Sequence, residues 1–132
     1  MLSSTHAPAG VLSVTVVEAK NLHKEDLFKN DPFVEIYFDE KYKQRTQEVK
    51  SSNEPTWNET FTFNITEGSS DHKLRIKVLD KDTIGSDKIG EGKLDVAEAY
   101  EGQIIDTWIK LPAKLGLTSH GEVHLVAQFQ RQ

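Results

Sequence analysis

Residues 73–82 read Lys73-Leu74-Arg75-Ile76-Lys77-Val78-Leu79-Asp80-Lys81-Asp82. Leu74, Ile76 and Val78 alternate with Lys73, Arg75 and Lys77, a period of two that predicts a strand with one apolar and one charged face. A helix would scatter the same apolar residues around its circumference, at about 100° per residue. The run ends in Asp80 and Asp82, which share one side of an extended chain. The strand is expected to end at Val78 and Leu79, with the two carboxylates opening the inter-strand loop that follows.

The same period recurs on both sides of this stretch. Trp57, Phe61, Phe63 and Ile65 hold one parity while Asn58, Thr60, Thr62 and Asn64 hold the other. Leu12, Val14 and Val16 alternate with Ser13, Thr15 and Val17, and Val123, Leu125, Ala127 and Phe129 with His124, Val126 and Gln128. Further strands are expected at 33–38, 42–49, 88–96 and 107–111. Turn-forming clusters separate them: Asn-Asp-Pro at 30–32, Ser-Ser-Asn-Glu-Pro at 51–55, Glu-Gly-Ser-Ser-Asp at 67–71 and Ser-His-Gly at 119–121. Eight short strands with regular turn signals predict an all-β antiparallel sandwich. The single helix expected, at 95–100, would take Asp95 as its N-cap and stop at Gly102.

The chain has 132 residues, the size of one domain with one core. It contains no cysteine, which excludes disulfides and thiolate metal sites and suits a reducing compartment. The first ten residues are small and polar, so no secretory signal is expected, and no stretch approaches the roughly 18 apolar residues of a membrane span. The sequons at Asn58 and Asn64 are read as accidental for the same reason, and the protein is expected to be cytoplasmic. Net charge is −5, from 21 acidic and 16 basic residues, which argues against nucleic acid as a partner.

Two inter-strand segments concentrate carboxylates: Glu25-Asp26-Leu27-Phe28-Lys29-Asn30-Asp31, and Asp80-Lys81-Asp82-Thr83-Ile84-Gly85-Ser86-Asp87. A hard cation such as calcium takes six to eight oxygen ligands, which loops supply from carboxylates and carbonyls. Either segment alone reads as a solvated turn, since aspartate favours turns. An EF-hand reading of Asp80, Asp82, Gly85 and Glu91 fails. Ile84 would fill a ligand position, and a strand stands where the entering helix belongs.

Together these segments resemble those of the C2 domain family, over nearly the whole chain. The resemblance is carried by Asn30-Asp31-Pro32-Phe33-Val34, by Pro55-Thr56-Trp57-Asn58-Glu59-Thr60-Phe61-Thr62-Phe63, and by Val78-Leu79-Asp80-Lys81-Asp82 with Asp87-Lys88-Ile89-Gly90. It implies an eight-stranded Greek-key sandwich over residues 11–130, with an N-terminal extension at 1–10. Because no strand precedes Val11 and a last strand closes the chain, the order resembles the family's type II topology. It further implies calcium ligation by Asp26, Asp31, Asp80, Asp82 and Asp87. Asp26 precedes Asp31 by five residues and Asp82 precedes Asp87 by five, each one short of the family's spacing, so both loops are read as trimmed with their ligands kept. Glu54 stands where the family usually has asparagine.

The implied function is calcium-dependent binding to anionic phospholipid membranes, by a monomer that is cytoplasmic until calcium brings it to the surface. Leu27, Phe28 and Ile84 would contact the membrane at the same tip. Lys41, Lys43 and Arg45 are expected on one parity of a strand and form a candidate phosphoinositide patch, in which Lys43 and Arg45 match positions of the family's lysine-rich cluster, against the plainer reading of a solvated charged face. The alternative function is a calcium-independent protein-interaction or lipid-binding module. No enzyme is expected, because the five histidines are scattered without a nucleophile or an oxyanion loop.

Overall fold

In the computed structural model, which describes residues 7–22, 30–82, 85–112 and 120–132 with only the backbone of Asp82, the alternating run becomes β5 (Lys73–Asp82). The other strands are β1 (Gly10–Lys20), β2 (Pro32–Tyr37), β3 (Gln44–Arg45), β4 (Thr56–Ile65), β6 (Gly85–Asp95), β7 (Ile105–Lys110) and β8 (Glu122–Arg131). They form two antiparallel four-stranded sheets, β4-β1-β8-β7 and β3-β2-β5-β6. This is the all-β sandwich that the alternation predicts.

The apolar parities meet between the sheets. Leu12, Val14 and Val16 of β1, with Val123, Leu125 and Ala127 of β8, join Val34 and Ile36 of β2 and Leu74, Ile76 and Val78 of β5 in one fully buried cluster. Each large aliphatic side chain so buried contributes roughly 1.5–3 kcal/mol. β4 lies at a sheet edge, so Trp57 and Ile65 are buried while Phe61 and Phe63 are only half-buried. A bulge between Val16 and Glu18 shifts the parity of β1, burying Ala19 and turning Glu18 to the outer face beside His124.

Three elements differ from expectation. The strand expected at 42–49 shrinks to Gln44–Arg45. Lys41 and Tyr42 belong to a turn in which Asp39 accepts both their N–H groups, at 2.9 Å. After Arg45 the chain still follows β2, but the buried Thr46 hydroxyl takes the Val34 N–H at 3.0 Å and interrupts the ladder. The helix, α1 (Ala97–Tyr100), starts later than expected, with Val96 at the N-cap position. Asp95 still caps it from outside, accepting the Ala97 N–H at 3.0 Å, and Gly102 ends it with φ +100°. Third, β5 does not stop at Leu79: the β5–β6 ladder runs on to Asp82 opposite Gly85. The acidic segment is therefore mostly a hairpin extension rather than an irregular loop.

Candidate functional site

β1 ends, β2 begins, and the β5–β6 hairpin turns at one end of the sandwich. Asp80 shares the parity of Leu74, Ile76 and Val78, so it continues the inward row past the point where the core ends. Pro32 is its partner on β2 and Asp87 its partner on β6. A bulge between Val78 and Leu79 adds one residue to β6 and sets that register. Directly opposed carboxylates repel unless something positive lies between them, so the register that pairs Asp80 with Asp87 favours a counter-ion.

Asp31 is tied to the same place. Its N–H donates to Asp80 Oδ1 at 2.8 Å, its carbonyl accepts the Lys81 N–H at 3.0 Å, and its own Oδ1 accepts the Ser51 N–H at 2.6 Å. Each of these two carboxylates thus spends one oxygen on positioning and keeps its Oδ2 outside these bonds. The 49–55 segment forms a further wall of the tip: Asn30 donates to Asn53 Oδ1 through its side chain at 2.7 Å and its N–H at 3.2 Å, and Leu22 N–H reaches the Asn53 carbonyl. In sequence, Ser51-Ser52-Asn53 reads only as a turn, because nothing local marks a turn as the brace of a distant loop.

Of the five expected ligands, the structure bonds the Asp31 N–H to Asp80, sets Asp87 opposite Asp80 in the β5–β6 ladder and places the backbone of Asp82 on the same hairpin. Asp26 lies outside the described residues, as do Leu27, Phe28 and Ile84. Among the described residues no three acidic or histidine side chains converge closely enough to hold a metal. The donors that are described are hard oxygens on β5, on β6 and just before β2, a donor chemistry that suits calcium and not a soft ion.

The basic patch is largely compensated. Lys43 Nζ lies 3.6 Å from Glu35 and 5.1 Å from the Tyr37 ring centroid, and the Arg45 guanidinium covers Phe33 at 4.2 Å. Lys50 pairs with Glu48 at 3.3 Å and Lys73 with Asp95 at 3.0 Å. Lys41 lies in a turn and Lys43 just before β3, so of the three only Arg45 belongs to a strand, and the single strand parity expected for them is not formed.

A second cluster, which the scattered histidines gave no means to foresee, lies on the outer face of the β4-β1-β8-β7 sheet. His124 stands between Glu18, at 3.2 Å from Nδ1, and Asp106, at 2.6 Å from Nε2. Desolvation lowers its pKa, but the bonds to Asp106 and Glu18 outweigh this and hold it above the ordinary imidazole value. Cross-strand alternation could have suggested the cluster only once the strand order was known.

Comparison with known proteins agrees with the architecture. The family model described as C2 domain matches residues 10–111. Synaptotagmin-5 of Arabidopsis thaliana is 34% identical over 127 residues, covering 89% of this chain and 22% of the relative. An Arabidopsis thaliana protein named calcium-dependent lipid-binding protein is 34% identical over 96 residues, covering 72% of this chain and 19% of the relative. The chain thus spans about a fifth of the length of these two relatives. A solved C2 domain of plant extended synaptotagmin 1 superposes with a TM-score of 0.79 at 25% identity, covering 95% of this chain and 97% of that one.

Proposed function

The chain belongs to the C2 domain family, and from that premise we propose that it binds anionic phospholipid membranes in a calcium-dependent manner, as a binding module and not an enzyme. The observation that carries this reading is the register that opposes Asp80 to Asp87 and bonds Asp80 to the Asp31 amide at one end of the sandwich. The relative named as a calcium-dependent lipid-binding protein supports it. Asp26, Asp31, Asp80, Asp82 and Asp87 would hold the ion. When bound, calcium offers coordination positions that a lipid phosphate oxygen can fill, and it reverses the sign of the local field.

The chain's own residues set the geometry. The Asp31 N–H holds the Asp80 carboxylate and the Asp31 carbonyl takes the Lys81 N–H, so a shift in either segment moves both carboxylates. Leu27, Phe28 and Ile84, outside the described residues, would be the membrane contacts of this reading, and each would add about 1–3 kcal/mol on burial in the bilayer interface. The protein would be cytoplasmic and monomeric, and peripheral to the membrane when calcium is bound. No helix among the described residues is long and apolar enough to cross a membrane.

The test is sedimentation with phosphatidylserine-containing liposomes, with and without calcium, for the wild type and an Asp80→Asn, Asp82→Asn variant. Asparagine keeps an acceptor for the Asp31 N–H, so the variant loses charge and not the brace. Calcium-dependent sedimentation should disappear in the variant. Undiminished sedimentation would refute the proposal. Sedimentation in the wild type that ignores calcium would instead favour the calcium-independent module.

A further inference from the structure

Among the described residues, nothing pairs β6 with β7 on this side of the sandwich. A groove of about 460 Å³ lies there, with Gly92 and Ile109 in its floor and Glu91, Lys93, Trp108 and Lys110 along it. Gly92 creates the floor, since a Cβ at that position would stand 2.8 Å from Ile109 Cγ2. β6 pairs only with β5, and β7 only with β8, among the described residues. Each strand therefore presents backbone N–H and C=O groups without ladder partners along one edge, the feature that extended peptides use when they add to a sheet.

Trp108 is the unusual member. Ile105 and Ile109 of the same strand pack against the core, so Trp108 lies on the outward parity, where folding does not require a large aromatic. Its indole is nonetheless held in place. It stacks on His124 with centroids 4.9 Å apart and planes 20° apart, and the Lys20 ammonium covers the ring at 4.2 Å. His124 is itself fixed at both nitrogens by Glu18 and Asp106. A half-exposed tryptophan whose orientation is set before any contact forms is the type of residue that anchors interfaces.

The charges around the groove select its occupant. Glu91 is neutralised by Lys88 at 3.3 Å, and Lys20 by Glu122 at 3.6 Å. Lys93 and Lys110 are exposed and have no ion-pair partner among the described residues, and the register partner of Lys93 is another cation, Arg75. A second copy of this chain would set lysine against lysine along the edge, which disfavours self-pairing. We propose that the β6–β7 side is a docking groove for an extended peptide segment that places an apolar side chain on Ile109 and Trp108 and acidic side chains against Lys93 and Lys110.

The test uses the full chain with calcium chelated, so that its outcome is independent of the membrane proposal. Heptapeptides on an array carry a central Leu, Ile, Phe, Trp or Ser flanked by Glu and Asp, with Lys-flanked counterparts. The acidic peptides with apolar centres should be retained above both the Ser-centred and the Lys-flanked sets. The best binder, labelled with fluorescein and followed by anisotropy, should weaken at least tenfold with Lys93→Glu, Lys110→Glu and with Trp108→Ala. The charge-reversed variant should gain the Lys-flanked peptides, a switch that mere loss of structure would not produce. Equal retention of all peptide sets, or affinity indifferent to the charge reversal, would overturn the proposal. So would acidic peptide binding that survives the charge reversal while, in a separate assay with calcium, the same variant no longer sediments with liposomes, which would assign the lysines to the membrane.

Discussion

His124 illustrates how a single side chain couples three strands to pH. It sits on β8, donates when protonated to Glu18 on β1 and Asp106 on β7, and carries Trp108 on its ring. Lys20 and Glu122, ion-paired at 3.6 Å, and Lys110, the register partner of Glu122, are further charged groups on this face. The folded pKa lies above 6.5: desolvation lowers it, but the two carboxylates raise it further. Below 6.5 both folded and unfolded chains bind the proton, and the stabilisation is fully present. As pH rises through the folded pKa that contribution is lost. Urea unfolding of the wild type should therefore show stability declining from pH 6 into the alkaline range, and His124→Gln should flatten that decline. A decline of equal slope in the variant would place the titrating group elsewhere. Asp95 works in the opposite sense. Desolvation pushes its pKa up, yet the Ala97 N–H, Lys73 and His72 bring it from 3.8 to about 2, so its contribution is lost as pH falls through that range.

At the scale of elements, the chain segment after β3 tests how a side chain replaces a ladder. Thr46 is 1% exposed, takes the Val34 N–H at 3.0 Å and gives its own proton to the Gln47 carbonyl at 2.8 Å. Valine has nearly the same shape but neither function. Thr46→Val should cost about 1–3 kcal/mol by leaving a buried N–H unpaired, read as a lower urea midpoint with unchanged slope. A loss below about 0.5 kcal/mol would mean that water reaches Val34. This segment also marks where sequence reading stops. β1, β4, β5 and β8 were legible because one face of each is buried and alternation is the direct record of that. The region 42–49 was not, since Thr46 substitutes a hydroxyl for main-chain pairing and leaves no periodicity. The extension of β5 through Asp82 was hidden for a related reason: beyond the core, the inward row turns from valine to aspartate and the pattern changes chemistry without changing structure. Asp31, Asp80 and Asp87 were legible as a set by their motifs. The brace from Ser51 and Asn53 was not, because it depends on a contact between segments some twenty residues apart.

For the whole molecule, the proposed function makes calcium binding and folding one linked equilibrium. Asp80 and Asp87 are cross-strand partners near Asp31, so the folded chain without an ion carries a repulsion that the unfolded chain escapes. An ion that binds only the folded state adds stability as its concentration passes its dissociation constant, about 2.7 kcal/mol at a hundredfold excess. For a domain of this size that corresponds to a rise in melting temperature on the order of 10 °C. The Asp80→Asn, Asp82→Asn variant should respond with two opposite signs. In chelator it should melt above the wild type, because the opposed charges are gone. In millimolar calcium it should melt below, because the wild type gains and the variant does not. Crossing melting curves distinguish an acidic tip built for a cation from acidic turns that are merely solvated, for which calcium would shift neither protein and the substitutions would leave both curves together. They also separate ligand loss from misfolding, since a damaged fold would melt lower under both conditions.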